Sequence, residues 1–144
     1  MFSYQFVHMK PYLGYVTFAL LLGGCASSRL PAPPVVLENT GTEYPTMCML
    51  LQPDGSLLFR GGFAFYNPGV WRRADNNKEI LIVTLGGTEP FPAPVLKEQL
   101  PKKIGGLISF DEKRREMTYR FDAKTEFLNF GNFYFYRAET CHAH

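Results

Sequence analysis

Beyond residue 46 the chain is a succession of short apolar and aromatic runs cut by turn signals, the pattern of strands rather than of long helices. Met47 to Gln52 and Ser56 to Arg60 flank Pro53-Asp54-Gly55, where proline presets φ and glycine accepts a left-handed position, so the pair reads as a hairpin. Gly61-Gly62 interrupts a run that otherwise extends to Tyr66 and predicts a bulge or sharp bend. After the turn Asn67-Pro68-Gly69, Val70 to Arg73 and Glu79 to Leu85 form a second hairpin around a polar loop. Ile80-Leu81-Ile82-Val83 is apolar on both faces, which predicts a central strand or one whose outer side is covered. The stretch Gly86 to Lys103 carries Pro90, Pro92, Pro94 and Pro101 and predicts an irregular loop with one or two helical turns over Val95 to Leu100.

A third hairpin joins Ile104 to Phe110 with Glu116 to Asp122, whose alternation puts Met117, Tyr119 and Phe121 on one face and Thr118, Arg120 and Asp122 on the other. A connector from Ala123 to Asn129 leads to Asn132 to Arg137, with Phe133 and Phe135 on one side and Tyr134 and Tyr136 on the other. Seven to eight hairpin-linked strands with no long helix predict an all-β domain over residues 46–144, a small antiparallel up-and-down barrel or a sandwich.

The N-terminal quarter has a different pattern. Met1 to Lys10 carries one lysine, Pro11 to Leu22 is an apolar segment of twelve residues, and Leu22-Gly23-Gly24-Cys25 closes it with two small residues and a cysteine. As a helix those twelve residues reach about 18 Å, short of the roughly 30 Å hydrocarbon core of a bilayer. The four-residue ending resembles the lipobox of bacterial lipoproteins. The resemblance implies a signal helix over 1–24, cleavage between Gly24 and Cys25, and a mature N-terminal Cys25 bearing diacylglycerol and N-acyl lipid. Several acyl chains, each buried methylene contributing about 0.8 kcal/mol, imply permanent attachment to the bilayer. Ala26 stands where an aspartate implies inner-membrane retention, so the resemblance implies a periplasm-facing protein of the outer membrane. Residues 25–45, with Ser27, Ser28, Pro31, Pro33, Pro34 and Pro45, then read as a flexible tether.

Removing the signal leaves 120 residues, enough for one domain. Lys10 leaves with it, so 14 basic side chains face 13 acidic ones. That balance, with Lys113-Arg114-Arg115 as the longest basic run and read as a solvated turn, argues against a nucleic-acid partner.

Asp54-Gly55-Ser56, Gly69-Val70-Trp71 and Glu79 to Leu85 together resemble the small lipocalin-like barrels found among bacterial lipoproteins, in which a glycine-x-tryptophan strand lays its indole across the barrel floor. Phe59, Trp71, Tyr119 and Phe121 are the candidates to line an interior pocket for a small apolar ligand, or else to fill a closed core. An envelope interaction protein is the other class, docking through Gly61 to Tyr66, through exposed tyrosines, or through the proline loop with Phe91 at its centre.

Cys48 and Cys141 remain once Cys25 carries lipid, and two thiols in an oxidising compartment pair. A bridge over roughly 94 residues contributes about 4–5 kcal/mol on the chain-entropy account. The alternative is a zinc or soft copper site formed by Cys48, Cys141, His142 and His144. Catalytic chemistry has little to draw on, because His8 leaves with the signal and Asp111 with Glu112, or Asp122 with Glu126, stand in turns. The expectation is a non-catalytic protein with no cofactor beyond its lipid, and with the bilayer, an envelope protein or a small apolar ligand as partners.

Overall fold

The computed structural model describes residues 34–144 apart from Thr40 and Thr42. The signal segment 1–24, the Gly24–Cys25 cleavage point, the acyl site Cys25 and the first part of the tether lie outside the described residues. The strands are β1 (Val35–Asn39), β2 (Cys48–Leu51), β3 (Ser56–Arg60), β4 (Gly69–Arg73), β5 (Ile80–Thr84), β6 (Leu107–Asp111), β7 (Glu116–Arg120), β8 (Phe127–Phe130) and β9 (Phe133–Ala138), with one α-helix, α1 (Ala93–Gln99), before β6. They form a single antiparallel sheet in the order β6-β7-β5-β4-β3-β2-β1-β9-β8, curled into a nearly closed barrel. The expected all-β barrel is therefore the fold.

Nine strands replace the expected seven or eight, and both additions have a physical cause. Val35–Asn39, expected within the tether, is β1, paired on one side with β2 and on the other with β9. Prolines precede it, yet Val35 starts a run that loses no ladder donor. Phe127–Phe130, largely read as connector, is β8, where Leu128, Asn129 and Phe130 are all buried. A strand covered on both faces shows no alternation, so neither β1 nor β8 carries the period-two signature. Of the bulge or sharp bend expected at Gly61-Gly62 the chain makes the bend, leaving the sheet at Gly61 and entering a 3-10 turn over Ala64–Tyr66. One correction concerns a loop. Ile104–Gly106, expected to open β6, is also a 3-10 turn.

One large core fills the barrel. Leu37, Met49, Leu57, Leu81, Val83, Met117 and Tyr119 point inward from successive strands at no measurable exposure. Fully burying a side chain of this size stabilises by about 1.5–3 kcal/mol. At the end where β1 finishes, Phe130 packs between Phe59 and Phe63 with ring centroids 5.0 and 4.9 Å away. Tyr66 joins this plug and donates its hydroxyl to the Pro90 carbonyl at 2.8 Å. Arg115, expected in a solvated turn, instead folds onto the loop beside it. Its guanidinium donates to the carbonyls of Leu85, Gly86 and Glu89 at 3.3, 2.8 and 2.9 Å and lies 5.9 Å from the Tyr66 ring. Lys113 and Arg114 remain exposed as expected.

A second, smaller core lies outside the sheet. The chain after β9 doubles back as a strap across β1, β2 and β3, where Cys141 and Ala143, with Ala138 at the end of β9, cover Val36, Cys48, Leu50 and Leu58. The Cys48–Cys141 disulfide pins this strap, with the two Cα atoms 5.9 Å apart. With Met49 and Leu51 in the main core and Cys48 and Leu50 under the strap, all four residues of β2 are buried.

No strand pairing joins β6 to β8. The gap is bridged by α1 and the turn Ile104–Gly106. Leu96 enters the core, and the Gln99 side-chain amide donates to the Gly131 carbonyl in the β8–β9 turn. Gly105 and Gly106, at φ 58° and 78°, wedge between the two edges. A Cβ on Gly105 would meet the main chain of Asn129, its Cα at 2.8 Å, and one on Gly106 would press on the Arg120 carbonyl at 2.5 Å. Only glycine combines the left-handed backbone with that approach. We therefore expect Gly105→Ala to destabilise the fold by about 2–4 kcal/mol, from the left-handed backbone and overpacking together, read as a shift in urea midpoint. A change below about 1 kcal/mol would show that the seam is not closed by this contact.

Candidate functional site

The four residues expected to surround a ligand sit in or against the main core. Phe59, Tyr119 and Phe121 are fully buried and Trp71 is half-buried. The Tyr119 hydroxyl has the Met117 sulfur as its partner at 3.4 Å, and burial pushes its pKa far above the ordinary phenol value. The Trp71 indole donates to the Gln52 carbonyl at 2.8 Å, tying β4 to the β2–β3 turn. Phe121 lies between two guanidinium groups, Arg137 at 4.5 Å and Arg73 at 5.4 Å from its ring centroid. Desolvation, with Arg137 nearby, lowers the Arg73 pKa from its ordinary value. Phe91, expected at the centre of a docking loop, is turned inward and packs 6.0 Å from Phe110, so the proline loop presents no Phe91 for docking.

The strap brings together a second set. Glu38 and Cys48 are direct cross-strand partners facing outward, and the Glu38 carboxylate accepts from the His142 main-chain N–H at 2.8 Å. His142 Nδ1 lies 3.0 Å from the same oxygen. The structure thus groups Glu38, Cys48 and Cys141, with His142 bound to the Glu38 carboxylate.

Clefts open at several places on the surface, and two of them adjoin at the seam. One of about 430 Å³ is lined by Leu100, Lys103, Gly106, Leu107, Ile108 and Arg120. A second of about 390 Å³ shares Lys103, Gly106 and Arg120 with it and continues to Thr125, Glu126 and Phe127. The two are lobes of one trough floored by the glycines that close the barrel. Its first lobe is apolar on one wall, with Ile108 44% exposed there. Its two cations stand where the lobes meet. Arg120 reaches Glu79 at 3.3 Å, an exposed pair of little energetic weight. Lys103 is held by a left-handed backbone at φ 50°. Volumes of this size fall within the roughly 300–1,000 Å³ of small-ligand sites. Sequence reasoning passed over Lys103 and Arg120; the signal was Lys102-Lys103 running into Gly105-Gly106, a basic pair at an obligatory turn.

Beside the trough the β7–β8 connection is a tight polar turn. Asp122 Oδ1 accepts from the Lys124 and Thr125 main-chain N–H groups at 2.7 and 3.0 Å and from the Thr125 hydroxyl at 3.1 Å. These bonds, the Lys124 one first, hold the Asp122 carboxyl below its ordinary value of 3.8. Asp111 and Glu112 are exposed in the β6–β7 turn, where Asp111 accepts from the Arg114 main-chain N–H at 3.0 Å. Compared with known proteins, the chain matches no family model, no curated protein and no solved structure.

A carboxylate with a depressed folded pKa stabilises fully above its unfolded value and stops doing so as pH falls through the folded one. The stability gap between the wild type and Asp122→Ala is therefore expected to be constant from about pH 7 down to about pH 5 and to close below about pH 3. Urea midpoints of both proteins across that range measure it; a gap that persists in acid would place the stabilisation outside the Asp122 carboxylate.

Proposed function

We propose that this protein is a lipid-anchored, non-catalytic lipoprotein of the bacterial envelope, facing the periplasm from the outer membrane, whose barrel binds an anionic single-chain amphiphile in the seam trough. The anchor rests on Leu22-Gly23-Gly24-Cys25 and Ala26. The Cys48–Cys141 disulfide supports an oxidising compartment.

The observation that carries the ligand reading is the pairing of Lys103 and Arg120 with the apolar wall of Leu100, Leu107 and Ile108 in one open trough. A carboxylate or phosphate seated between two cations gains charge-assisted hydrogen bonds, while its chain covers apolar surface that water otherwise wets. Glu126 in the far lobe disfavours a second negative charge, so the headgroup belongs at the junction and the chain in the first lobe. The trough opens at the end of the barrel where β1 begins. About ten residues separate Cys25 from Val35, at most about 35 Å when fully extended, so the anchor holds the trough close to a bilayer surface.

A second reading has its own observation. Tyr44 is 55% exposed and Tyr134 46% exposed, and with Tyr136 on the outer side of β9 and Phe133 at its start they border a shallow cleft. Exposed aromatics of this kind favour a protein partner.

Two measurements test the proposal. The intact mass of membrane-extracted protein should lack residues 1–24 and carry added acyl mass; an unprocessed, unacylated chain would overturn the anchor. Titration with a long-chain fatty acid should give saturable binding that Lys103→Ala with Arg120→Ala weakens at least tenfold, while stability changes by less than about 1 kcal/mol. Absent or unchanged binding would overturn the ligand reading.

A further inference from the structure

One donor atom each from Glu38, Cys48 and Cys141 lies within 4.8 Å of the other two. Tetrahedral zinc, with bonds of about 2.0–2.3 Å, separates its ligand atoms by about 3.3–3.8 Å, so the two sulfurs, bonded to each other here, must move apart once reduced while the carboxylate oxygen is already within reach. His142 is already held to the same carboxylate, by its main chain at 2.8 Å and by Nδ1 at 3.0 Å. Two sulfurs, one imidazole and one carboxylate make a donor set that suits zinc. In the disulfide the sulfurs are bonded to each other and their thiolates do not exist.

We propose that Glu38, Cys48, Cys141 and His142 form a redox-gated zinc site, silent while the disulfide stands and created when it is reduced. This site is independent of the lipid trough. A dithiol reductant supplies the two electrons and two protons. Its thiolate attacks Cys141, the half-buried sulfur, and Cys48, which is fully buried, departs as the leaving group. The second thiol of the reductant then resolves the mixed disulfide, leaving an oxidised reductant and two protein thiols. Zinc displaces the two thiol protons and takes the imidazole and the carboxylate as third and fourth ligands.

The fold prepares this site on two sides. Glu38 and Cys48 are opposed in the β1–β2 ladder, so their backbone separation is fixed by main-chain hydrogen bonds. Cys141 and His142 arrive on the strap, which Ala138 and Ala143 hold against Val36, Leu50 and Leu58. Reduction removes the covalent pin; zinc replaces it with a coordinate one. The strap therefore stays closed over the outer apolar face in both the oxidised and the zinc-loaded states, and is released only in the reduced, metal-free state.

The test uses the full chain, oxidised or reduced with a phosphine under anaerobic conditions, with zinc alone as the probe in competition with a chromophoric chelator. The reduced protein should bind one equivalent of zinc and the oxidised protein none. Glu38→Gln and His142→Ala both keep the disulfide and should each weaken binding to the reduced protein at least tenfold. Cobalt in place of zinc should give the thiolate charge-transfer band and the visible bands of a tetrahedral centre. If the reduced metal-free chain loses its fold, zinc should restore the β-sheet circular dichroism. Uptake below one equivalent, unchanged affinity in both variants, a cobalt spectrum without thiolate charge transfer, or zinc failing to restore a lost fold would each overturn the site.

Discussion

The constraint on which this structure depends is the pair of sheet edges that never meet. A barrel of nine antiparallel strands satisfies its backbone groups by pairing all the way round, and here the circle stops between β6 and β8. Unpaired edges are costly when buried and hazardous when exposed. The chain resolves this with α1 and the Ile104–Gly106 turn, which fill the interval with side chains from inside and with bare backbone at Gly105 and Gly106. The same solution leaves a trough outside. Because the bridge is a turn rather than a strand, it does not cover the mouths of β6 and β8, and Lys103 and Arg120 line the space it leaves.

The opposite side of the barrel has the contrary problem. β1 and β2 carry apolar residues on both faces, so their outer side needs a cover. The strap supplies it, and its retention rests on few atoms: one disulfide, one carboxylate and two alanines. Such a short segment contributes little burial of its own, and cross-linking acts chiefly by restricting the unfolded chain. The cover is therefore controlled by sulfur chemistry more than by packing.

How much of this was legible beforehand depended on whether a strand has one wet face. β3 and β7 alternate, and their residues were placed in the sheet almost to the position, while β5 and β9, apolar or aromatic on both faces, were placed by the turn signals that bound them. β1 and β8 are buried on both sides, so their patterns resemble linker and loop. The cysteine pairing was legible from the count, two thiols once Cys25 was set aside. Phe91 was misplaced because a proline-rich context suggests exposure, whereas its ring fills the space beside Phe110. Arg115 and Glu38 were missed for a different reason. Their roles come from partners 26 to 30 and 104 residues away in the chain, which no local pattern encodes.

The pairing of β1 with β9 brings Val36 opposite Ala138 and so joins regions a hundred residues apart. Every other neighbour relation along the β1 to β5 side is a short hairpin that forms as its second arm emerges. β1 can zip onto β2 early, yet its other edge stays open until β9 has been delivered, and its outer face stays wet until Cys141 follows. The first strand in the sequence is thus the last to be completed, and until then it holds an apolar, unpaired edge.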